Sequence, residues 1–201
     1  MNVKSEFENI IKLLLIGDSA VGKTNFIFRY VNDSYTSNHL STVGFDFKSV
    51  VTKLSKSKKT VKLQIWDTAG QERYMSVNKS LFLKVQGILL FYSITDRESF
   101  EHITNWVDII RDTCDSLPII LIGNKKDDES LRIVSEDEGK KLAKNFNLEF
   151  LEASGKENIN VKESFEKIAE AVIANTFSER TNNFQLYDDK KNGKTKKKCC
   201  K

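Results

Sequence analysis

Apolar residues fall along this chain in two rhythms. Continuous runs of strand length occur at residues 10–16 (IIKLLLI), 87–94 (GILLFYSI) and 119–122 (IILI). Such runs read as strands buried on both faces. Val61, Leu63 and Ile65 alternate with Lys62, Gln64 and Trp66, the period of two of a half-buried strand over residues 60–67. Residues 45–54 (FDFKSVVTKL) read as a partner strand. The five intervening residues, 55–59, are all Ser or Lys and suit a hairpin, so this pair is expected to be antiparallel. A last short strand is expected at 149–153. The second rhythm is helical. Residues 25–31 (NFIFRYV) open one helix. Phe100, Ile103, Val107 and Ile110 share one face of another, capped by Thr95-Asp96. Ser135 with Glu138 forms a capping box ahead of Leu142 and Phe146. Asn160 with Glu163 signals a further cap, followed by a stripe of Phe165, Ile168, Ala169, Val172 and Ile173.

The order is βαββ, then βαβαβα, which implies an α/β layered fold with a mostly parallel sheet. In such sheets ligands bind beyond the carboxyl ends of the strands. Three segments read as loops there or beside them, at 32–41, 68–79 and 124–127.

The first strand runs into Gly17-Asp18-Ser19-Ala20-Val21-Gly22-Lys23-Thr24 and then a helix. This fits G-x-x-x-x-G-K-[ST], whose backbone N–H groups and helix N-terminus hold phosphate oxygens. Gly17 and Gly22 let the backbone turn and approach the anion. Lys23 would reach the outer phosphates and the Thr24 hydroxyl would ligate Mg²⁺. A chance Gly-Lys-Thr in a strand-turn-helix is the competing account of this loop taken alone. Asp67-Thr68-Ala69-Gly70-Gln71-Glu72 stands at a strand end. Asp67 is placed to hold a water on Mg²⁺, Gly70 to offer its N–H to a terminal phosphate, and Gln71 to orient an attacking water. By itself this segment could equally be a strand ending in a turn. After the 119–123 strand come Asn124, Lys125, Lys126 and Asp127. One carboxylate can accept two N–H groups from the edge of guanine, so Asp127 would select that base. Asn124 would tie this loop to the phosphate loop, and the Lys125 stem would cover the base. Backbone N–H groups of Ser154, Gly155 and Lys156 could donate to the guanine O6.

Four such loops in this order resemble the Ras superfamily of small GTPases, and within it the Rab family, over about residues 8–176. The resemblance rests on GDSAVGKT at 17–24, STVGFDFK at 41–48, KLQIWDTAGQER at 62–73, GNKKD at 123–127 and EASGK at 152–156. It implies a P-loop GTPase (Ras-like) fold: a six-stranded, mostly parallel sheet with one antiparallel edge strand and about five helices on both faces. It implies bound GTP or GDP with Mg²⁺, Thr42 as a switch residue joining that ion, and Tyr35 packed against guanine. Residues 33–45 and 69–79 would be the two switch segments. An exchange factor, a GTPase-activating protein, a dissociation inhibitor, a prenylation escort and effectors are the partners it implies, around a monomer. The chain departs from the Rab pattern at Leu81-Phe82-Leu83-Lys84-Val85, where Tyr-Tyr-Arg-Gly-Ala is usual. An exposed aromatic triad would here be Phe47, Trp66 and Leu81, its third member not aromatic. Phe45 stands where Val or Ile is common, and Gly155 where Ala is usual.

Composition refines this picture. The 201 residues suit one domain, long enough to bury about 70% of the unfolded surface. The net charge is +4, but residues 177–201 carry eight basic and three acidic groups, +5, leaving −1 for residues 1–176. The domain is expected to span 8–176, between an N-terminal extension (1–7) and a flexible basic tail (177–201). A basic global balance is thus a property of the tail, and nucleic acid is not an expected partner; the last ten residues lack interleaved aromatics. Three Cys, two of them adjacent, make no disulfide framework or metal spacing. No signal-peptide pattern opens the chain and no apolar run approaches the roughly 20 residues of a membrane span. The ending Lys198-Cys199-Cys200-Lys201 is no C-a-a-X box. Its Cys pair resembles the Rab pattern for double geranylgeranylation at Cys199 and Cys200. Two lipids with nearby Lys anchor firmly where one does not. The expected location is therefore the cytoplasmic face of an endomembrane or the plasma membrane, with a cytosolic pool. The expected function is a GTP-hydrolysing trafficking switch using Gln71, Lys23 and Thr42; a nucleotide-gated binding module with little hydrolysis is the alternative. His39, His102 and Cys114 are read as surface or packing residues.

Overall fold

The computed structural model describes residue 7 and residues 9–36, 45–68 and 79–192. Six strands, β1 (Asn9–Gly17), β2 (Phe45–Lys53), β3 (Thr60–Thr68), β4 (Gly87–Ser93), β5 (Ile119–Asn124) and β6 (Glu149–Glu152), form one sheet in the order β2-β3-β1-β4-β5-β6. The hairpin partner β2 lies at one edge and is antiparallel to β3, with Phe47 opposite Trp66 and Val50 opposite Leu63. Every other pairing is parallel. The mixed sheet with a single antiparallel edge strand is the one expected from the sequence.

The apolar rhythm explains the layers. Successive side chains of a strand point to opposite faces. Leu13 and Leu15 of β1, with Leu89 and Phe91 of β4, pack against Phe26 and Ile27 of helix α1 (Lys23–Asn32) and Phe165, Ile168 and Val172 of α5 (Val161–Asn192). Their neighbours Leu14, Ile16, Leu90 and Tyr92 pack on the other face against Ile103, Trp106, Val107 and Ile110 of α3 (Ile103–Thr113). Because both faces are covered, β4 is buried throughout, hence its unbroken apolar run. Cys114, at the end of α3, is half-buried and packs on this second cluster.

Three details differ from the sequence expectation. The single helix expected after Asp96 is two segments, α2 (Arg97–Glu101) and α3, joined at His102. The Asp96 carboxylate caps α2, accepting from the Glu98 and Ser99 N–H groups at 3.1 and 3.4 Å. Asn160 does not use its side chain on the start of α5; its amide donates to the Glu152 carbonyl at 2.7 Å, with φ at 55°. Helix α5 also continues to Asn192, past Thr176, where a flexible tail was expected to begin. Extending a formed helix adds one backbone hydrogen bond per residue fixed, and no Gly or Pro interrupts residues 177–192. The capping box of α4 (Glu136–Asn145) is present in both directions between Ser135 and Glu138. Arg97 and the Ser135 contacts hold the Glu138 carboxyl down at about 2.

Among the described residues, no helix is long and apolar enough to cross a membrane.

Candidate nucleotide site

Parallel strands β1, β3, β5 and β6 end on the same edge of the sheet, and β1, β5 and β6 each hand the chain to a loop or short turn there. Gly17 ends β1 with φ at 137°; an added Cβ would lie 2.2 Å from the Phe91 carbonyl oxygen. Ala20 (φ 61°) and Gly22 (φ 100°) also take left-handed backbone angles, so the loop curls tightly before α1. Alternating conformations of this kind turn successive N–H groups inward, a concavity suited to anions. Helix α1 begins with no side-chain cap and no acidic residue in its first turn. Its positive end is therefore left to an anion.

Lys23 is buried, 5% exposed. Its ammonium arches back over the loop and donates to the Gly17 carbonyl and, at 2.7 Å, to that of Asp18. Thr24 Oγ1 donates to Asp67 Oδ2 at 2.6 Å, joining the start of α1 to the end of β3. Ser19 and Ala20 are exposed at the loop's tip and Val21 is fully buried beneath it.

The residues expected to meet the base form a second, linked cluster. Asn124 ends β5 and is 3% exposed. Its Nδ2 donates to the Val21 carbonyl at 2.8 Å and its Oδ1 accepts from the Gly155 N–H at 3.4 Å. One side chain thus spans the phosphate loop and the loop after β6. Gly22 makes room for it: a Cβ there would sit 2.5 Å from Asn124 Nδ2, at a φ that L residues rarely adopt. Gly22→Ala is accordingly expected to push the amide off Val21 and speed GDP release by roughly tenfold, the loss of one buried hydrogen bond. Release followed with a fluorescent GDP checks this, and an unchanged rate would show that the loop absorbs the methyl.

Lys125 adopts a left-handed φ of 67°, which turns the chain into Asp127. The Asp127 carboxylate accepts from Ser154 Oγ and lies 3.4 Å from the Lys156 ammonium. That contact raises the Lys156 pKa above its usual value. Tyr35 is 40% exposed at the end of the segment following α1. The structure therefore brings together Asp18 to Thr24, Asp67, Asn124, Lys125, Asp127 and Ser154 to Lys156. Thr42, Gly70, Gln71, Cys199 and Cys200 lie outside the described residues.

Several supporting residues carried no local signal in the sequence. Arg29 of α1 donates to the Gly155 and Lys156 carbonyls, both at 2.9 Å, and so fixes the loop after β6. Glu152, 4% exposed, takes a forked pair from Arg132 at 2.6 and 2.9 Å and faces Lys126 at 3.3 Å. The carboxylates of Glu152 and then Glu129 raise the Arg132 pKa still further. His102, read as a surface residue, is partly exposed and also contacts Asp18.

The donor set at Thr24 and Asp67 is a hydroxyl and a carboxylate, the hard oxygens that Mg²⁺ prefers.

Comparison with known proteins agrees with this geometry. The model of the Ras family matches residues 12–174. Over 167 residues the chain is 48% identical to Ras-related protein Rab-3 of Caenorhabditis elegans, covering 83% of this chain and 75% of the relative. It is 45% identical over 174 residues to Ras-related protein Rab-3C of Bos taurus, covering 86% and 75%. Over 167 residues it is 45% identical to Ras-related protein Rab-3A of Homo sapiens, covering 83% and 75%. A match of this extent, on a sheet of this topology with these loops at its edge, establishes that the chain belongs to the Ras family and within it to the Rab small GTPases, which are GTP hydrolases.

Proposed function

We propose that this GTPase is a membrane-trafficking switch, and that the loops described above hold GTP or GDP. The supporting observation is the Asn124 tether: base loop and phosphate loop form one continuous site. In this reading the curled backbone of residues 18–24 and the Lys23 ammonium bind the β- and γ-phosphates. Asp127 accepts from the guanine edge, the Ser154, Gly155 and Lys156 N–H groups reach its O6, and Tyr35 and the Lys125 stem cover its faces. Thr24, Asp67 and Thr42 would hold Mg²⁺, whose chemistry is to neutralise phosphate charge. Gln71 orients the water for in-line attack while the Gly70 N–H contacts the γ-phosphate. Loss of that phosphate releases Thr42 and Gly70, and both switch segments relax.

No arginine occupies the family position of an internal finger. Turnover is then slow until an activating protein raises it ~10³–10⁵-fold. The GTP form recruits effectors, an exchange factor reloads the site, and a dissociation inhibitor and a prenylation escort handle the lipidated form. Residues 8–176 act as the GTPase domain of a monomer. The remainder carries Cys199 and Cys200, prenylated for the cytoplasmic face of a membrane.

Single-turnover hydrolysis of GTP by the full chain tests the reading, beside Gln71→Leu. The wild type should convert GTP to GDP, and the variant should bind GTP normally while converting it more slowly. Equal rates would remove Gln71 from the mechanism. A wild type that holds GTP unchanged would make the protein a nucleotide-gated binding module.

A further inference from the structure

Asp18 is the second residue of the phosphate loop, and both oxygens of its carboxylate are held from a different part of the chain. His102 Nδ1 bonds to Oδ2 at 2.6 Å, and Trp106 Nε1 donates to Oδ1 at 3.0 Å. A carboxylate only accepts, so the imidazole Nδ1 is the donor in the first contact. The partners are 84 and 88 residues away in sequence. Trp106 is 5% exposed and packs with Ile103, Val107 and Ile110 in the core, so its N–H is a fixed point. The Asp18 carbonyl in turn receives the Lys23 ammonium. Whatever moves Asp18 moves the anchor of the lysine.

We propose that His102 and Trp106 are positioning residues for nucleotide retention: they hold the Asp18 carboxylate, and through it the phosphate loop, against the junction of α2 and α3. The proposal rests on the reading of this loop as the phosphate site. Two physical needs make such a clasp useful. Left-handed backbone at Gly17, Ala20 and Gly22 gives the loop its curve but little intrinsic stiffness. A side-chain anchor on a packed helix supplies it. The second need is electrostatic. A bare carboxylate beside a phosphate cradle repels the ligand, and an imidazolium paired with it cancels that charge.

The charged groups facing His102 are Asp18 from the loop and Glu98 and Asp96 from α2 and its cap, all acidic. The Asp18 hydrogen bond, more than any other contact, raises the His102 pKa above 6.5, against the effect of partial burial. A raised folded-state pKa means that the pair's full contribution is present below pH 6.5 and fades as pH rises through the folded value. Neutral imidazole still donates from Nδ1, so the bond survives while the charge cancellation is lost. Nucleotide release should therefore quicken with rising pH.

The test is dissociation of a fluorescent GDP from the full Mg²⁺-loaded chain between pH 6 and 8.5. Wild type should release it ~3–10-fold faster at the alkaline end, the scale of one solvent-screened charge-assisted contact. His102→Ala should release it ~3–10-fold faster than wild type at pH 6 and lose the pH slope. His102→Asn keeps a donor without a titrating charge, and should be slower than Ala and equally flat. Trp106→Phe keeps the packing and removes one donor, so release should quicken with the slope intact. His102 is partly exposed, so its variants should fold; unfolding temperatures with excess GDP check this. Equal rates in wild type and His102→Ala, or a wild-type slope in either His102 variant, overturn the proposal. A wild type that binds no GDP, seen before any variant is made, overturns the nucleotide reading and the proposal with it.

Discussion

Asp127→Ala is expected to lower GDP affinity by roughly 10²–10³-fold while leaving the fold intact. In the proposed site this carboxylate accepts two N–H groups from the guanine edge. Hydrogen bonds to a charged partner contribute about 1.5–3 kcal/mol each, and the replacement leaves both ligand donors unanswered. Even partial expression of that loss, about 3–4 kcal/mol, gives the stated factor. The carboxylate is already aimed: Ser154 Oγ holds one oxygen and Lys156 stands 3.4 Å from the other. Its side chain is only 6% exposed, so little reorganisation is needed on binding. Asp127→Asn separates charge from geometry. The amide retains one acceptor but presents N–H to a ligand N–H, so guanine should lose affinity. A purine with a carbonyl at that position, as in xanthine, should gain it. Calorimetric titration of the emptied protein with GDP, XDP and ADP reads both effects. Asp127→Ala binding GDP within ~3-fold of wild type would reject the base assignment.

Glu152→Ala is expected to destabilise the domain by about 3–5 kcal/mol. The Glu152 side chain is 2% exposed and takes both Arg132 contacts, so its removal leaves a largely buried guanidinium without its main partner. Glu129 and the Val134 carbonyl still accept from Arg132, which places the effect toward the lower end. At ~2–4 °C per kcal/mol for a domain of this size, the unfolding temperature should fall by roughly 6–15 °C. Nucleotide must be held at a fixed excess, because bound ligand itself raises the transition. Removing both charges, as Arg132→Met with Glu152→Leu, should recover most of the loss, since the penalty comes from an orphaned buried charge. A single variant with an unchanged transition would show that Arg132 finds adequate partners elsewhere.

These two residues illustrate what the sequence discloses. Asp127 belongs to a short run after a strand, so a local pattern is enough to single it out, although its partners Ser154 and Lys156 come from the loop after β6. The strands were legible for the same reason: the unbroken apolar run of β4 reflects burial on both faces, and the alternation at Val61, Leu63 and Ile65 reflects the pleat. Ser135 and Glu138 form a local capping box, also readable in advance. Glu152 and Arg132 are 20 residues apart and meet only because β5 and β6 lie side by side. No periodicity encodes that meeting. His102 is the sharper case. Its side chain is 42% exposed, which suits a residue on the polar side of a helix, yet it bonds to a loop 84 residues away. The missing information was the packing of α3 beside β1, a property of topology. Helix α5 shows the opposite limit. Thinning apolar residues place the end of the packed domain near Thr176; the buried stripe of α5 runs to Val172 with Ile173 packed against it, and backbone helicity persists beyond because nothing in the local sequence stops it.

The chain contains only two tryptophans, and their positions have an optical consequence. Trp106 hydrogen-bonds to the phosphate loop, while Trp66 lies edge-on to Phe47 at 5.4 Å, near the end of the strand that carries Asp67. One indole meets a carboxylate and the other an aromatic ring; Trp66 stands one residue before Asp67 on β3, and Trp106 on α3 against Asp18. Excitation near 295 nm therefore interrogates the two sides of the site with no added label. Replacing either indole by Phe separates their emission, so the unmodified protein carries two distinguishable reporters, one on α3 and one on β3.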